Sequence, residues 1–483
     1  MDTPHPPGPR VRWLVAGAFS PSPSGQRFLL TDDAFAEQLG RAARDLRIPV
    51  QDRIGSGDVN AYEFSPTRLQ AFQLSELVEA TPDLRILRTA HAALSGGGSL
   101  SPEDAAHLKS VMGTGRLSAE MAQAAKGSRS VEDARRAALA VLEEALFATA
   151  RDILQHPTVA RLESAWRGLS WLSEHCPASA GLDIEVLDIA SASLVDALEQ
   201  GLDGSPLQRP DACFLLDEQS DIEALHQLAA LGEQASLPIV VAVLPSLLGA
   251  GSSPADDKEA LAREAWRRLR ADESSRWLCA ALNPVVMLAE ELGGVRRECF
   301  TSPALAVAAL LAASFRDTHT FGRLVGPGSG TRAPAVWKPK ASSTVATEAV
   351  LSLREQERLA AQGLLGVSGW WDSNTVLAAA APTVYGGRDA TPLPAQLLTG
   401  RLVRIAQELI ERAPSGASPD TLASAFSRAA EIFLPTGSKQ DCQLQARVVS
   451  TGNGERGVQV RASVRPELAG THLQLAFTLP LPR

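Results

Sequence analysis

Three segments near the end of the chain alternate strictly between apolar and polar positions, and that period of two predicts three strands. The first puts Cys442, Leu444, Ala446 and Val448 on one face, and the second Val458, Val460, Ala462 and Val464. The third puts Leu473, Leu475, Phe477 and Leu479 on one face and His472, Gln474, Ala476 and Thr478 on the other. Turn-rich TGNGERG and PELAGT separate them, so the pattern reads as an antiparallel meander with one apolar face. Just upstream the period lengthens to that of a helix. Leu398, Leu402, Ile405 and Leu409 predict a helix over Ala395 to Ala413, and Leu422, Phe426, Ala429 and Phe433 another over Pro419 to Phe433.

The middle of the chain alternates strand-like and helical runs. Ala212 to Leu216 and Pro238 to Leu244 read as strands, with a helix over Asp221 to Ala235 between them. A strand–helix–strand unit of this kind makes a parallel pair with a right-handed crossover. Ile184 to Ile189 and Val11 to Phe19 are also β-like. Ser130 to Ile153 forms an amphipathic helix through Ala138, Leu142, Ala145, Leu146 and Ile153, ended by His156-Pro157 because the residue before a proline disfavours helix. A second helix restarts at Pro157, with Val159, Leu162, Trp166 and Leu169 on one stripe. Nearer the N-terminus, Asp32 to Leu46 and Pro82 to Leu94 have helical spacing, and Ser65-Pro66 reads as an N-cap followed by a first-turn proline. Ser95-Gly96-Gly97-Gly98-Ser99 has the composition of a flexible linker and marks the clearest boundary.

Composition narrows the function class. The 483 residues carry 46 Lys and Arg against 55 Asp and Glu, a net charge of −9, with no basic block of the length a nucleic-acid binder uses. MDTPHPPGPR is not a secretory signal, and the longest apolar runs, Leu237 to Ala250 and Pro303 to Phe315, fall short of the roughly 20 residues a membrane span needs. Five scattered cysteines without a C-x-x-C pair fit a reducing compartment. The expectation is a soluble, cytoplasmic protein of several parts that inserts in no membrane and binds no nucleic acid.

Catalytic and metal chemistry finds little support. No glycine precedes a lysine, so a Walker A loop is absent, and Gly326-Pro327-Gly328-Ser329-Gly330 reads as a surface loop. Gly366-Val367-Ser368-Gly369 falls one residue short of a nucleophile elbow because Trp370 stands where the last glycine belongs. The eight histidines show no zinc spacing, and His175-Cys176 reads as a helix end. Arg267-Arg268 and Arg296-Arg297 read as solvated basic pairs. The expectation is a protein that is not an enzyme, with no catalytic residue, cofactor or metal.

One segment carries a family likeness. The run His156-Pro157-Thr158-Val159-Ala160-Arg161-Leu162-Glu163-Ser164-Ala165-Trp166-Arg167-Gly168-Leu169 resembles the segment hHPxfxxLExxWRGL of the large subunit of the type VI secretion contractile sheath. Pro210 to Gly249, Glu264 to Pro284 with Ser275-Arg276-Trp277-Leu278, Ala304 to Phe315, Gln362 to Leu365 and Ala381 to Tyr385 are similar to the same family in order. Arg27 to Ile54, Tyr62 to Pro66 and Val78 to Leu87 resemble the small sheath subunit.

The resemblance implies an α/β (α+β) fold of mixed sheets with flanking helices, phage-tail-sheath-like, closed by the C-terminal meander. It implies a small-subunit-like region over 1–95, a linker over 96–130, a large-subunit-like body over 131–390, and C-terminal helices plus an interlocking sheet over 391–483. The motif residues it singles out are His156, Pro157, Leu162, Glu163, Trp166, Arg167, Gly168 and Leu169. Trp166 shares the apolar stripe and is expected in the core, whereas Arg167 lies off it and is expected to orient a loop or carboxylate. Leu473, Gln474, Leu475, Ala476, Phe477, Thr478 and Leu479 are the expected inter-protomer strand. The implied function is a structural protomer that polymerises with copies of itself around an inner tube, on a baseplate, and contracts to drive effector delivery, with a hexameric ATPase recycling the sheath. Two alternatives stay open: a sheath-like accessory that caps, adapts or initiates without polymerising, and an α/β enzyme whose site carries no recognisable motif.

Overall fold

The computed structural model describes residues 10–480 except 56, 97, 127–129, 178–180, 202–204, 245–246, 248–256, 319, 326–327, 341–342, 413–417, 434–441, 451–455 and 469–470. The chain opens with β1 (Val11–Gly17), β2 (Arg27–Leu29), α1 (Asp32–Ala42), β3 (Leu46–Gln51) and β4 (Val59–Phe64). Helices follow: α2 (Leu74–Ala80), α3 (Pro82–Gly96), α4 (Pro102–Met112), α5 (Arg116–Lys126), α6 (Val131–Leu154) and α7 (Pro157–Glu174). The α/β middle runs β5 (Leu182–Asp188), α8 (Leu194–Gly201), β6 (Ala212–Gln219), α9 (Ile222–Ala235), β7 (Ile239–Val243), α10 (Asp257–Ala271) and β8 (Leu278–Leu282). Then come the hairpin β9 (Val285–Leu292) and β10 (Val295–Thr301), α11 (Pro303–Thr318), β11 (Thr331–Arg332), β12 (Trp337–Lys340) and β13 (Ser343–Val345). The chain closes with α12 (Leu353–Ala361), β14 (Leu364–Gly369), β15 (Thr375–Ala378), α13 (Leu393–Glu411), α14 (Pro419–Phe433), β16 (Cys442–Ser450), β17 (Arg456–Leu468) and β18 (Thr471–Pro480).

A nine-stranded sheet in the order β11-β15-β14-β8-β7-β6-β1-β5-β2 organises the molecule. Its six central strands, β14 to β5, are parallel to one another; β2 and β15 run antiparallel to them at the two sides, and β11 pairs antiparallel with β15, which turns it back to the central direction. Parallel strands need helices on both faces, so both sets of alternating side chains must be apolar. VRWLVAG meets that demand: Trp13 and Val15 enter the core shared with α6, α7 and α11. Leu14 and Ala16 enter the core shared with α8, α9 and α10. Helix α11 is buried on every side from Pro303 to Phe315, as an evenly apolar helix must be.

Strand β1 lies between β5 and β6, so residues 11–17 are built into the central sheet together with residues 182–219. The glycine-rich stretch at 95–99 therefore marks no break in the core. Among its described residues the segment 96–130, implied by the resemblance as a linker, holds α4 and α5, and α5 seats Leu117 in the main core against α6. The helix expected over Asp32 to Leu46 stops at Ala42, because Asp45 turns the chain at φ 52° and Leu46 begins a strand. No helix starts at Ser65-Pro66; the Ser65 hydroxyl instead accepts the Asp45 backbone N–H at 3.0 Å.

The C-terminal block is a separate layer. Strands β16, β17 and β18 form an antiparallel meander in that order, with Val458, Val460 and Ala462 buried against Ala395, Leu398, Leu402 and Ala406 of α13 and Leu422 and Phe426 of α14. A period-two apolar face thus finds two amphipathic helices to cover it.

Candidate assembly site

Helix α7 is built for its place. His156 is its N-cap, its Nδ1 accepting the Thr158 backbone N–H at 3.4 Å, and Pro157 occupies the first turn, where no N–H is needed. Val159, Leu162, Trp166 and Leu169 are all fully buried. Trp166 donates its indole N–H to the Phe19 carbonyl at 2.9 Å. It also meets Phe19 and Phe35 edge-on and Phe28 in a parallel stack. All three phenylalanines come from the first 35 residues. Gly168 marks a close approach: a Cβ there would lie 2.0 Å from Thr301 Oγ1 and 2.6 Å from Leu305 Cδ1.

Glu163 and Arg167, one turn apart, open a buried ionic cluster. Glu163 accepts from Arg167 Nε at 2.7 Å and pairs with Arg297, whose side chain is 2% exposed. Arg297 also pairs with Glu290 at 2.6 Å and donates to the Phe72 carbonyl at 2.6 Å. Glu290 accepts the Leu74 backbone N–H at 3.1 Å, and Arg167 donates to the Leu69 carbonyl at 3.1 Å. Burial alone would lower the Arg297 pKa, and the two carboxylates more than offset it, holding the guanidinium above its ordinary value. The same surroundings push the Cys299 thiol well up, chiefly by burial. The two glutamates and two arginines thus form one ion-paired cluster bonded to the main chain at 69, 72 and 74.

Arg297 thus corrects the reading of Arg296-Arg297 as a solvated pair. On strand β10 adjacent side chains face opposite ways, so Arg296 is exposed while Val295, Arg297, Cys299 and Thr301 point inward. Arg267 and Arg268 do lie exposed beside Glu264. Ser368 is inside strand β14, its hydroxyl accepting the Leu351 N–H, so no nucleophile elbow forms there. His175 is the C-cap of α7. Gly326 and Pro327 lie outside the described residues.

A second buried cluster ties the C-terminal layer to the sheet. Asp211 accepts Arg404 at 2.5 Å, Arg401 at 3.0 Å and the Arg12 backbone N–H at 2.9 Å, and Arg404 also bonds the Pro210 carbonyl. Sequence reasoning missed Asp211, Glu290, Arg297 and Arg404 alike. For Glu290, Arg297 and Arg404 the available signal was a charged residue on an inward-facing position of a strand or helix; Asp211, just ahead of β6, offered none.

Strand β18 lies far from α7 in the sequence and in a different layer. Among the described residues it pairs with β17 alone, leaving its outer main-chain groups at the sheet edge. Phe477 and Leu479 pack on the helices beneath, while Gln474, Ala476 and Thr478 are exposed. The side chains of Leu473 and Leu475 lie outside the described residues. Strand β16 is the other edge of the same sheet. Among the described residues no group of three His, Cys, Asp or Glu side chains could hold a metal ion, and no helix is long and apolar enough to cross a membrane.

Residues 136–207, which span α6, α7, β5 and α8, match the family model of the EvpB/VC_A0108 tail sheath N-terminal domain. The type VI secretion system sheath protein TssC1 of Pseudomonas aeruginosa is 29% identical over a match covering 29% of this chain and 34% of that protein. The match thus spans about a third of that relative's length. Among solved structures, the contracted helical sheath of the anti-feeding prophage is 11% identical with a TM-score of 0.37, covering 66% of this chain and 79% of its own. The contracted PVC sheath of an extracellular contractile injection system is 9% identical with a TM-score of 0.39, over 65% and 80%. The chain is similar to type VI secretion sheath proteins, and the resemblance seen at His156–Leu169 lies within the matched segment.

Proposed function

We propose that this chain, with its sheath-type segment at 136–207, is a structural component of a contractile type VI secretion sheath, polymerising with copies of itself in the cytoplasm. The observation that carries the reading is the coincidence of that segment with α7 and its buried cluster, where the parts of the chain are joined. In this reading a protomer needs rigidity and edges rather than a catalytic site. Strand β18 supplies an edge that can extend its sheet with a strand from a neighbouring copy. Contraction is then a rearrangement of rigid bodies around an inner tube, from a baseplate, with recycling left to a separate hexameric ATPase. Residues 1–95 stand for the small subunit, covalently joined to the large-subunit-like body.

A second reading, a non-polymerising accessory of the same machine, is favoured by one observation. Ahead of α6 the described residues include α4 and α5, with α5 packed on α6, so these helices offer no extended segment for exchange between copies. Pelleting of the purified chain in an ultracentrifuge separates the two. A structural protomer sediments in a large assembly, and an accessory stays in the supernatant.

A further inference from the structure

The parallel strands of the central sheet lie in the order β5-β1-β6-β7-β8-β14. Helix α7, which leads into β5, packs on one face of that sheet, whereas α9, which follows β6, packs on the other. The connections leaving β1 and β6 therefore part. In open α/β sheets ligands lie in the crevice beyond the carboxyl ends of such a strand pair. Strand β6 also bulges at that end. Leu215 pairs with Val241 and Gln219 with Val243, so β6 fits extra residues between them, a device that re-aims side chains.

A cavity of about 320 Å³ occupies this crevice, within the size range of small-molecule sites. Ala18, just past β1, Leu216 of β6 and Phe300 of β10 give it an apolar wall. Asp217 and Glu218 of the bulge and Arg161 of α7 supply three charged groups. Among the described residues none of these three side chains makes a hydrogen bond or ion pair within the chain. Burial raises the pKa of Asp217, with Arg161 opposing, and raises that of Glu218, with Glu348 adding to the effect.

The larger cavity, about 620 Å³ beside β2, differs in this respect. Two of its arginines, Arg41 and Arg47, already pair with Glu37 and Glu63. Its buried carboxylate, Asp188, is taken up by the main chain at Phe19 and Ser24 and by the Ser20 hydroxyl.

We infer that the crevice between β1 and β6 binds a small zwitterion, its ammonium group on the carboxylates of Asp217 and Glu218 and its carboxylate on the Arg161 guanidinium. Two carboxylates in the cavity disfavour a phosphate, and a bare amine leaves Arg161 unmatched. The apolar wall suits an aliphatic side chain, so the ligand class is an aliphatic amino acid. The site is separate from the edge strands invoked for assembly and does not depend on that reading.

Isothermal titration calorimetry of the full chain tests it with three probes: L-leucine, isopentylamine, which lacks the carboxylate, and 4-methylpentanoate, which lacks the ammonium. L-Leucine is expected to bind about tenfold more tightly than either, the effect of one further charged hydrogen bond. Asp217→Asn should remove the preference over 4-methylpentanoate, and Arg161→Gln the preference over isopentylamine, with melting temperatures checking that both variants fold. Glu218→Gln, at an exposed position, replaces Asp217→Asn should the latter melt early. No binding of L-leucine at millimolar concentration, or binding no tighter than that of the two fragments, overturns the inference. L-Leucine binding that is unchanged in the variants places the ligand elsewhere and overturns it too.

Discussion

The indole N–H of Trp166 donates to the carbonyl of Phe19 across 147 positions of sequence, at 2.9 Å and in full burial. That bond, with the Phe19, Phe28 and Phe35 rings packed around the indole, fastens the start of the chain to the motif helix. Truncating so large a buried side chain leaves a cavity, and Trp166→Ala is expected to cost about 3–5 kcal/mol. Trp166→Phe keeps much of the volume but leaves the Phe19 carbonyl unpaired, and should cost less. Thermal denaturation of both variants checks the order; an unchanged melting temperature for Trp166→Ala would place the residue outside the core.

The cluster at Glu163 predicts strong coupling between residues distant in sequence. Removing one partner of a buried pair strands the other charge, so Glu163→Gln and Arg297→Met are each expected to destabilise by about 3–5 kcal/mol. The double variant strands fewer charges and should lose clearly less than the sum. A denaturant-based double-mutant cycle measures this, and simple additivity would mean that the two side chains do not share one network.

His175 predicts a pH dependence. Its pKa is pushed down to about 4, first by burial and then by Arg316, with Asp317 opposing weakly. Its Nδ1 lies 3.1 Å from Arg316 Nη1 and its Nε2 2.9 Å from Thr331 Oγ1, so the neutral ring accepts from the arginine and donates to the hydroxyl. The unfolded chain, with an ordinary histidine pKa near 6.5, takes up this proton first, so stability falls as pH drops from about 6.5 toward 4. His175→Gln should shrink the loss of melting temperature between about pH 7 and about pH 5. An equal loss in wild type and variant would rule His175 out as a contributor.

What was legible in the sequence follows from period and burial. The meander was readable because its strands have one apolar and one polar face, and α7 because its stripe is continuous and proline-started. The β10 arginines were misread because adjacency suggested a shared environment, whereas the strand's alternation sends Arg296 out and Arg297 in. Leu46 fitted a helical stripe equally well, and only the reversal at Asp45 makes it the first residue of a strand. The place of β1 between β5 and β6 is a long-range pairing, and no local pattern encodes which strand lies beside which. Glu163 was legible as a motif residue, but Glu290, its partner through Arg297, sits on a hairpin 127 positions away, a distance no spacing rule spans.

The most direct measurement is electron microscopy of the purified chain beside Ala476→Pro. Ala476 is exposed on the edge strand β18, where proline removes a main-chain donor and obstructs further pairing. Helical filaments from the wild type and dispersed, folded particles from Ala476→Pro are the result predicted for a sheath protomer that assembles through this edge. Dispersed particles from the wild type, or filaments from both, would contradict it.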